Sequence, residues 1–338
     1  MLTALITGVT GQVGSYLAER LIRENYKVIG LRRRTSLPNI SNISSLLNQE
    51  NFVLVEGDVL DASCIYNLVK LYEPHMIFGL AAQSHVQTSF SQPSYTHDVI
   101  CGGTLNILSA IHDINPSIRF FNSSSSEMFG NSIDYDGYQR ETTPMCPASP
   151  YGVAKLAAHH LTKVYRESYG LFASNGILFN MESPRRGSEF VTRKITKWLA
   201  DIITNESFYK IKLGNLNAKR DWNYVEDSID AILRIIRADH PDDYVVASGQ
   251  TYSVETFLRT CLVEAGLCRY THNIDLNKYI EINELYYRPN EVYLLRGDSS
   301  KLRNVLGWYP KVSFNELVHK MLSAELGESN CFQQHVLI

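Results

Sequence analysis

The sequence lacks most of the features that would tie a chain to a membrane, a metal or an oxidising compartment. Its six cysteines, Cys64, Cys101, Cys146, Cys261, Cys268 and Cys331, are scattered without a CxxC pair, which reads as reduced packing residues rather than a disulfide framework. Clustered His/Cys metal spacing is missing, and the His159-His160 pair reads as part of a helix rather than as ligands, so no metal is expected. No run reaches the ~18 unbroken apolar residues of a spanning helix. The start, MLTALITGVTG, enters an apolar strand pattern without the basic region and cleavage site of a secretory signal, so a cytoplasmic location is expected. Neither sign of charge dominates: a net charge of −3 offers no long-range attraction to nucleic acid or an acidic membrane, and neither is expected as a partner.

What is present is a core. Hydrophobic residues make up 44% of the 338 and charged residues 20%, and the length exceeds the ~100–200 residues of a usual domain. Short apolar runs at Ala4–Thr7, Lys27–Leu31, Phe52–Val55, Met76–Leu80 and Arg119–Asn122 alternate with amphipathic stretches, the rhythm of βαβ units and a parallel sheet. Val13, Tyr16, Leu17 and Leu21 place one apolar face on a helix over Val13–Glu24. A helix from Tyr151 to Tyr169 and a strand near Asn175–Phe179 follow, giving at least six strands. The expected fold is therefore α/β, a Rossmann-like doubly wound parallel sheet with a smaller, interleaved C-terminal substrate domain. Residues 1–180 are expected to form the nucleotide domain, with 221–250 packing back onto it through the stripe Val225, Ile229, Ile232, Leu233 and Ile236. Residues 181–220 and 251–328 are left to bind substrate, and 329–338 read as a tail.

The loop Gly8-Val-Thr-Gly11-Gln12-Val-Gly14 follows the first strand and opens the first helix. Small residues there let a pyrophosphate approach backbone N–H groups and the positive end of the helix dipole, so a bound dinucleotide is expected. An NAD site usually offers a carboxylate after the second strand; this chain offers Arg32-Arg33-Arg34. Guanidinium forks at Arg33 and Arg34 suit a 2′-phosphate, which favours NADP. Asp58, after the third strand, is placed to contact adenine and is equally explicable as a turn residue.

Tyr151 and Lys155 stand four apart at the start of a helix and so share a face. An ammonium beside a phenol favours the phenolate, a base for a sugar hydroxyl as its carbon loses hydride. The fifth strand runs into Ser123-Ser124-Ser125-Ser126-Glu127, which puts hydroxyls and one carboxyl where sites lie in open sheets. A simple reductase has no use for Glu127. Removing water across a carbon–carbon bond does, because a proton must leave one carbon while a hydroxyl leaves the next.

The glycine loop, SSSSEMFG, Tyr151/Lys155, LAAQSHVQTSF at 80–90, LFNMESPRRGSEFVTRKI at 178–195, LGNLNAKRDW at 213–222 and YYRPNEVYLLRGDSSKLRNVLGW at 286–308 together resemble the GDP-mannose 4,6-dehydratase family of extended short-chain dehydrogenases/reductases. The resemblance spans nearly the whole chain. It implies a hydro-lyase with tightly held NADP, in which Tyr151 takes the C4 hydroxyl proton, Ser125 holds the C4 oxygen and Glu127 moves the C5 proton. It further implies cofactor contacts at Leu80, Ala82 and Arg186, and GDP-sugar contacts at Ser84, Asn180, Lys194, Arg220, Arg288 and Glu291. Two positions depart from the family pattern. Ser125 stands where Thr is usual, and Met181 replaces the histidine of NHESPRRG, a cofactor contact that a thioether does not reproduce. A homodimer or homotetramer is implied as well. The alternatives are a GDP-4-keto-6-deoxy-sugar reductase, a dehydratase of a GDP-manno-heptose, and a non-catalytic NADP-binding regulator.

Overall fold

A computed structural model describes residues 1–205 and 207–327, so the expected tail at 329–338 lies outside the described residues. Seven parallel strands form the central sheet: β1 (Thr3–Thr7), β2 (Lys27–Arg32), β3 (Phe52–Glu56), β4 (Met76–Gly79), β5 (Arg119–Ser125), β6 (Ala173–Leu178) and β7 (Asp243–Val246). Their order is β7-β6-β5-β4-β1-β2-β3, so the winding reverses between β1 and β4. That reversal opens a crevice at the carboxyl ends of the two strands, where open α/β sheets bind ligands. Thr7 fixes its floor: its Oγ1 accepts from Leu80 N at 3.0 Å and Ala81 N at 3.1 Å, tying the exit of β4 to the end of β1.

Alternate strand residues feed two apolar layers. Ile6 and Phe121 face α1 (Gln12–Arg23) and α6 (Val225–Arg237), where Leu17, Leu21, Ile229, Ile232 and Ile236 are fully or almost fully buried. Leu5, Ile77 and Phe120 face α2 (Ala62–Tyr72) and α3 (Gly103–Ile114) through Ile65, Val69 and Leu108. Each such side chain contributes about 1.5–3 kcal/mol by leaving water, and the two-sided burial explains why the strands read as unbroken apolar runs. The stripe on α6 thus packs under the sheet although it lies beyond residue 220. A separate cluster gathers α5 (Val191–Thr204), α7 (Val254–Glu264) and α8 (Phe314–Leu326) around Leu199, Phe257 and Val318, flanked by three two-stranded ladders.

The helix that carries Tyr151 and Lys155, α4 (Pro150–Tyr169), has a well-defined start and stop. Ser149 caps it by accepting from Gly152 N at 3.1 Å, Pro150 fits the first turn, and Gly170 ends it at φ 70°. Among the described residues no helix is long and apolar enough to cross a membrane, and no group of three or more His, Cys, Asp or Glu is placed to hold a metal ion.

Candidate active site

A cavity of about 560 Å³ runs along the crevice from the glycine loop to the end of β5. Its first half is backbone. α1 begins at Gln12 with no side chain capping it, which leaves the amides of the first turn to a ligand. A Cβ on Gly14 would lie 2.5 Å from Gly8 O, so only glycine permits this approach of helix to strand. The Gln12 side chain is occupied elsewhere: its Nε2 donates to Met181 O at 2.9 Å and its Oε1 accepts from Ser183 at 2.8 Å. At the end of β2, Arg33 lines the cavity and bonds the Tyr95 hydroxyl, Arg32 pairs with Glu56, and Arg34 points to solvent outside the lining. Asp58, Leu80, Ala82 and Ser84 line it too, with Asp58 Oδ1 also accepting from Leu60 N at 3.1 Å. An uncapped helix end, glycines that admit no Cβ and an arginine fork held only by a tyrosine hydroxyl fit a dinucleotide.

The second half is side chains. Ser125, Glu127, Tyr151, Lys155, Asn180, Arg186 and Arg288 all face the same space. Gly152 makes this possible, because a Cβ there would meet Glu127 O at 2.7 Å; its absence lets the first turn of α4 sit against the turn that carries Glu127. Ser125 Oγ accepts from Glu127 N at 3.2 Å, and Glu127 Oε1 accepts from Arg288 Nη1 at 3.0 Å. Met181 lines the cavity next to Asn180.

The structure shows where the Lys155 ammonium is anchored. Lys155 Nζ donates to Ser123 O at 2.5 Å and Ser123 Oγ at 3.2 Å, and stands 5.9 Å from the centre of the Tyr151 ring. Burial brings its ammonium down to about 8. Burial likewise pushes the Tyr151 phenol up to about 12, with the Glu127 charge adding to the rise while the Ser125 hydrogen bond and the Arg186 charge oppose it. Arg186 reaches in from the segment before α5, stacks 3.8 Å over Phe190 and pairs with Glu182 at 3.4 Å, and its charge eases the rise of the Tyr151 phenol less than the Ser125 hydrogen bond does. Ser123 was missed as Lys155's anchor, although strand alternation puts it on the same side as Ser125.

Lys194, Arg220 and Glu291 do not line this cavity. Lys194 Nζ donates to Lys212 O at 2.6 Å and lies 3.6 Å from the centre of the Tyr286 ring. Arg220 Nη2 meets Glu291 Oε1 at 3.3 Å, and the Arg220 charge is felt together with those of Glu127, Arg288 and Glu291. The pair therefore neighbours Glu127 and Arg288 without lining the cavity.

Fold and site together define an α/β protein of the Rossmann-like, doubly wound kind, with its crevice shaped for a dinucleotide. A family model described as GDP-mannose 4,6 dehydratase matches residues 5–321. The chain is 44% identical over 333 residues to GDP-mannose 4,6 dehydratase 2 of Arabidopsis thaliana, covering 96% of this chain and 86% of that protein. It is 40% identical over 367 residues to the GDP-mannose 4,6-dehydratase of Yersinia enterocolitica, covering 100% and 96%. Among solved structures, a UDP-glucose 4-epimerase from Thermotoga maritima with UDP-glucose aligns at a TM-score of 0.83 and 23% identity, covering 96% of this chain and 98% of that one, a likeness of fold. The chain belongs to the GDP-mannose 4,6-dehydratase family, whose members are hydro-lyases.

Proposed function

We propose that the protein converts GDP-mannose to GDP-4-keto-6-deoxy-mannose and water, the activity of its family, with no net oxidation or reduction. The observation that carries this reading is the placing of the Glu127 carboxylate in one cavity with Ser125 and Tyr151. The hydroxyl of Ser125 holds the C4 oxygen and Tyr151 takes the C4 hydroxyl proton. With a ketone at C4 the C5 proton becomes acidic; Glu127 takes it and assists the departing C6 hydroxyl. NADP, when bound, would supply the hydride chemistry, with the hydride lost at C4 returned at C6. Gly8, Gly11, Gln12, Gly14, Asp58, Leu80 and Ala82 would hold its length, Arg33 its 2′-phosphate, and Tyr151, Lys155 and Arg186 its reactive end. Arg288 would meet the substrate's diphosphate. Arg220, Glu291, Asn180 and Ser84 complete the GDP-sugar site in this reading.

The choice of NADP over NAD rests on Arg33 lining the cavity while the neighbouring carboxylate, Glu56, is taken by Arg32 and Arg34. Arg33→Ala should weaken NADP roughly tenfold or more and leave NAD nearly unchanged, since the fork has no partner on a bare ribose. The protein is expected to act in the cytoplasm as a homodimer or homotetramer. Exposed Leu105 on α3 and Val153, Val164 and Tyr169 on α4 give a second copy apolar surface to cover.

The deciding experiment is incubation with C4-deuterated GDP-mannose without added reductant. Loss of one water with deuterium recovered at C6 is expected. Product lacking that deuterium, formed with stoichiometric consumption of NADPH, would instead identify a 4-keto-sugar reductase. Bound cofactor with no turnover of any GDP-sugar would identify a regulator.

A further inference from the structure

Arg288 and Glu127 are 161 residues apart in sequence, yet they form an ion pair at 3.0 Å inside the cavity. Their side chains retain 24% and 10% of their exposure, so the pair is largely shielded from solvent. Beside it Arg220 and Glu291 make a second pair at 3.3 Å. Two guanidiniums and two carboxylates therefore neutralise one another where the proposed reaction needs an anion-binding cation and a free base. An oxygen that accepts from Arg288 is oriented toward a guanidinium rather than toward a carbon-bound proton. One contact serves both groups poorly once substrate arrives.

We propose that Arg288 is a substrate-operated latch on Glu127: without nucleotide it holds the carboxylate, and an incoming diphosphate draws the guanidinium away and leaves Glu127 free to act. The inference rests on the GDP-sugar reading above. A diphosphate presents more negative charge than one carboxylate and offers the planar fork two oxygens, so it competes well for the same cation. The exchange replaces one anion by another beside Arg288, so no uncompensated guanidinium is left in the cavity. The base becomes available only when a nucleotide is in place, which joins substrate recognition to the proton transfer.

The test measures GDP affinity by calorimetry on the full-length protein, Glu127→Gln, Arg288→Ala and the double variant. If Glu127 competes with the diphosphate for Arg288, Glu127→Gln tightens GDP by roughly threefold to tenfold, and the same change in the Arg288→Ala background does so by less than about twofold. Equal tightening in both backgrounds would mean general repulsion of an anion and overturn the latch; no tightening would overturn it as well. Failure of the wild-type protein to bind GDP at all would remove the nucleotide reading itself, a result distinct from these two. A crystal structure of the GDP complex decides the matter independently, including where Arg288→Ala binds too weakly to measure. Arg288 on the diphosphate and parted from Glu127 supports the latch, and Arg288 still bonded to Glu127 refutes it.

Discussion

The two halves of the cavity are built on opposite plans. The half along β1, β2 and β4 offers backbone amides, glycines and one guanidinium held only by a tyrosine hydroxyl, all from residues 8–99. The half along β5 and α4 consists of side chains already engaged with each other: Lys155 with Ser123, Glu127 with Arg288, and Arg220 with Glu291 close by. A dinucleotide entering the first half meets donors that cost little to redirect. A sugar nucleotide entering the second half must exchange existing partners. The first half therefore favours tight, standing occupancy and the second favours selectivity, because only a ligand that supplies better partners opens it.

The largest effect should come from the group with the least redundancy. Tyr151→Phe removes the proposed acceptor for the C4 proton and should cut turnover by roughly 10³-fold or more, with no transient absorbance of reduced cofactor. Survival of that transient would mean that another base serves C4. Glu127→Gln should cost roughly 10²–10³-fold in release of dehydrated product while hydride removal persists, because Ser125, Tyr151 and Lys155 are untouched. Wild-type turnover in this variant would reduce Glu127 to a structural partner of Arg288 and erase the contrast between the halves.

A third prediction probes what stiffens the side-chain half. Tyr151, Lys155 and His159 follow one another along a single face of α4, and His159 Nδ1 meets Ser124 Oγ at 3.0 Å in a network continued by Asn175, Asp243 and Arg166. Burial lowers His159 to about 4, with the Asp243 charge opposing the fall. The folded chain thus binds this proton less readily than an unfolded chain, whose imidazole titrates near 6.5. Its contribution is complete above pH 6.5 and is lost as pH falls toward 4, by an amount on the order of 3 kcal/mol. His159→Gln should flatten the dependence of urea stability on pH across that window. An unchanged slope would show that this imidazole is not the group that titrates.

How much of this was legible in the sequence follows the same division. Six strands could be read because parallel strands buried on both faces appear as apolar runs, and the glycine loop because its parts are adjacent. The seventh strand was missed: Asp243–Val246 carries only three apolar residues after a stretch of aspartates, and its pairing with β6 is long-range. The four-residue spacing of Tyr151 and Lys155 reported their common face but not where Nζ points, so Ser123 and Arg186 went unassigned to the pair. The Arg288 contact with Glu127 has no local signal at all. Family likeness indicated that both residues matter, and only the folded chain brings them together.

The smallest expected effect lies where the halves meet, at Met181, in the position of the family histidine. Its carbonyl already accepts from Gln12, and its side chain packs against the core cluster beneath α1 while still lining the cavity. The segment is therefore held in place whatever side chain it carries, and Met181→His should change a contact rather than the fold. One neutral hydrogen bond gained toward a bound dinucleotide is worth about 1 kcal/mol, or roughly fivefold in affinity. We expect Met181→His to slow NADP release by about that factor, and to suppress any reduction of the 4-keto product by external NADPH in proportion. Stopped-flow displacement of bound NADP measures the first directly. Equal release rates in the two proteins would mean that the backbone half alone sets cofactor retention, and the division of labour between amides and side chains would then be sharper than the structure by itself implies.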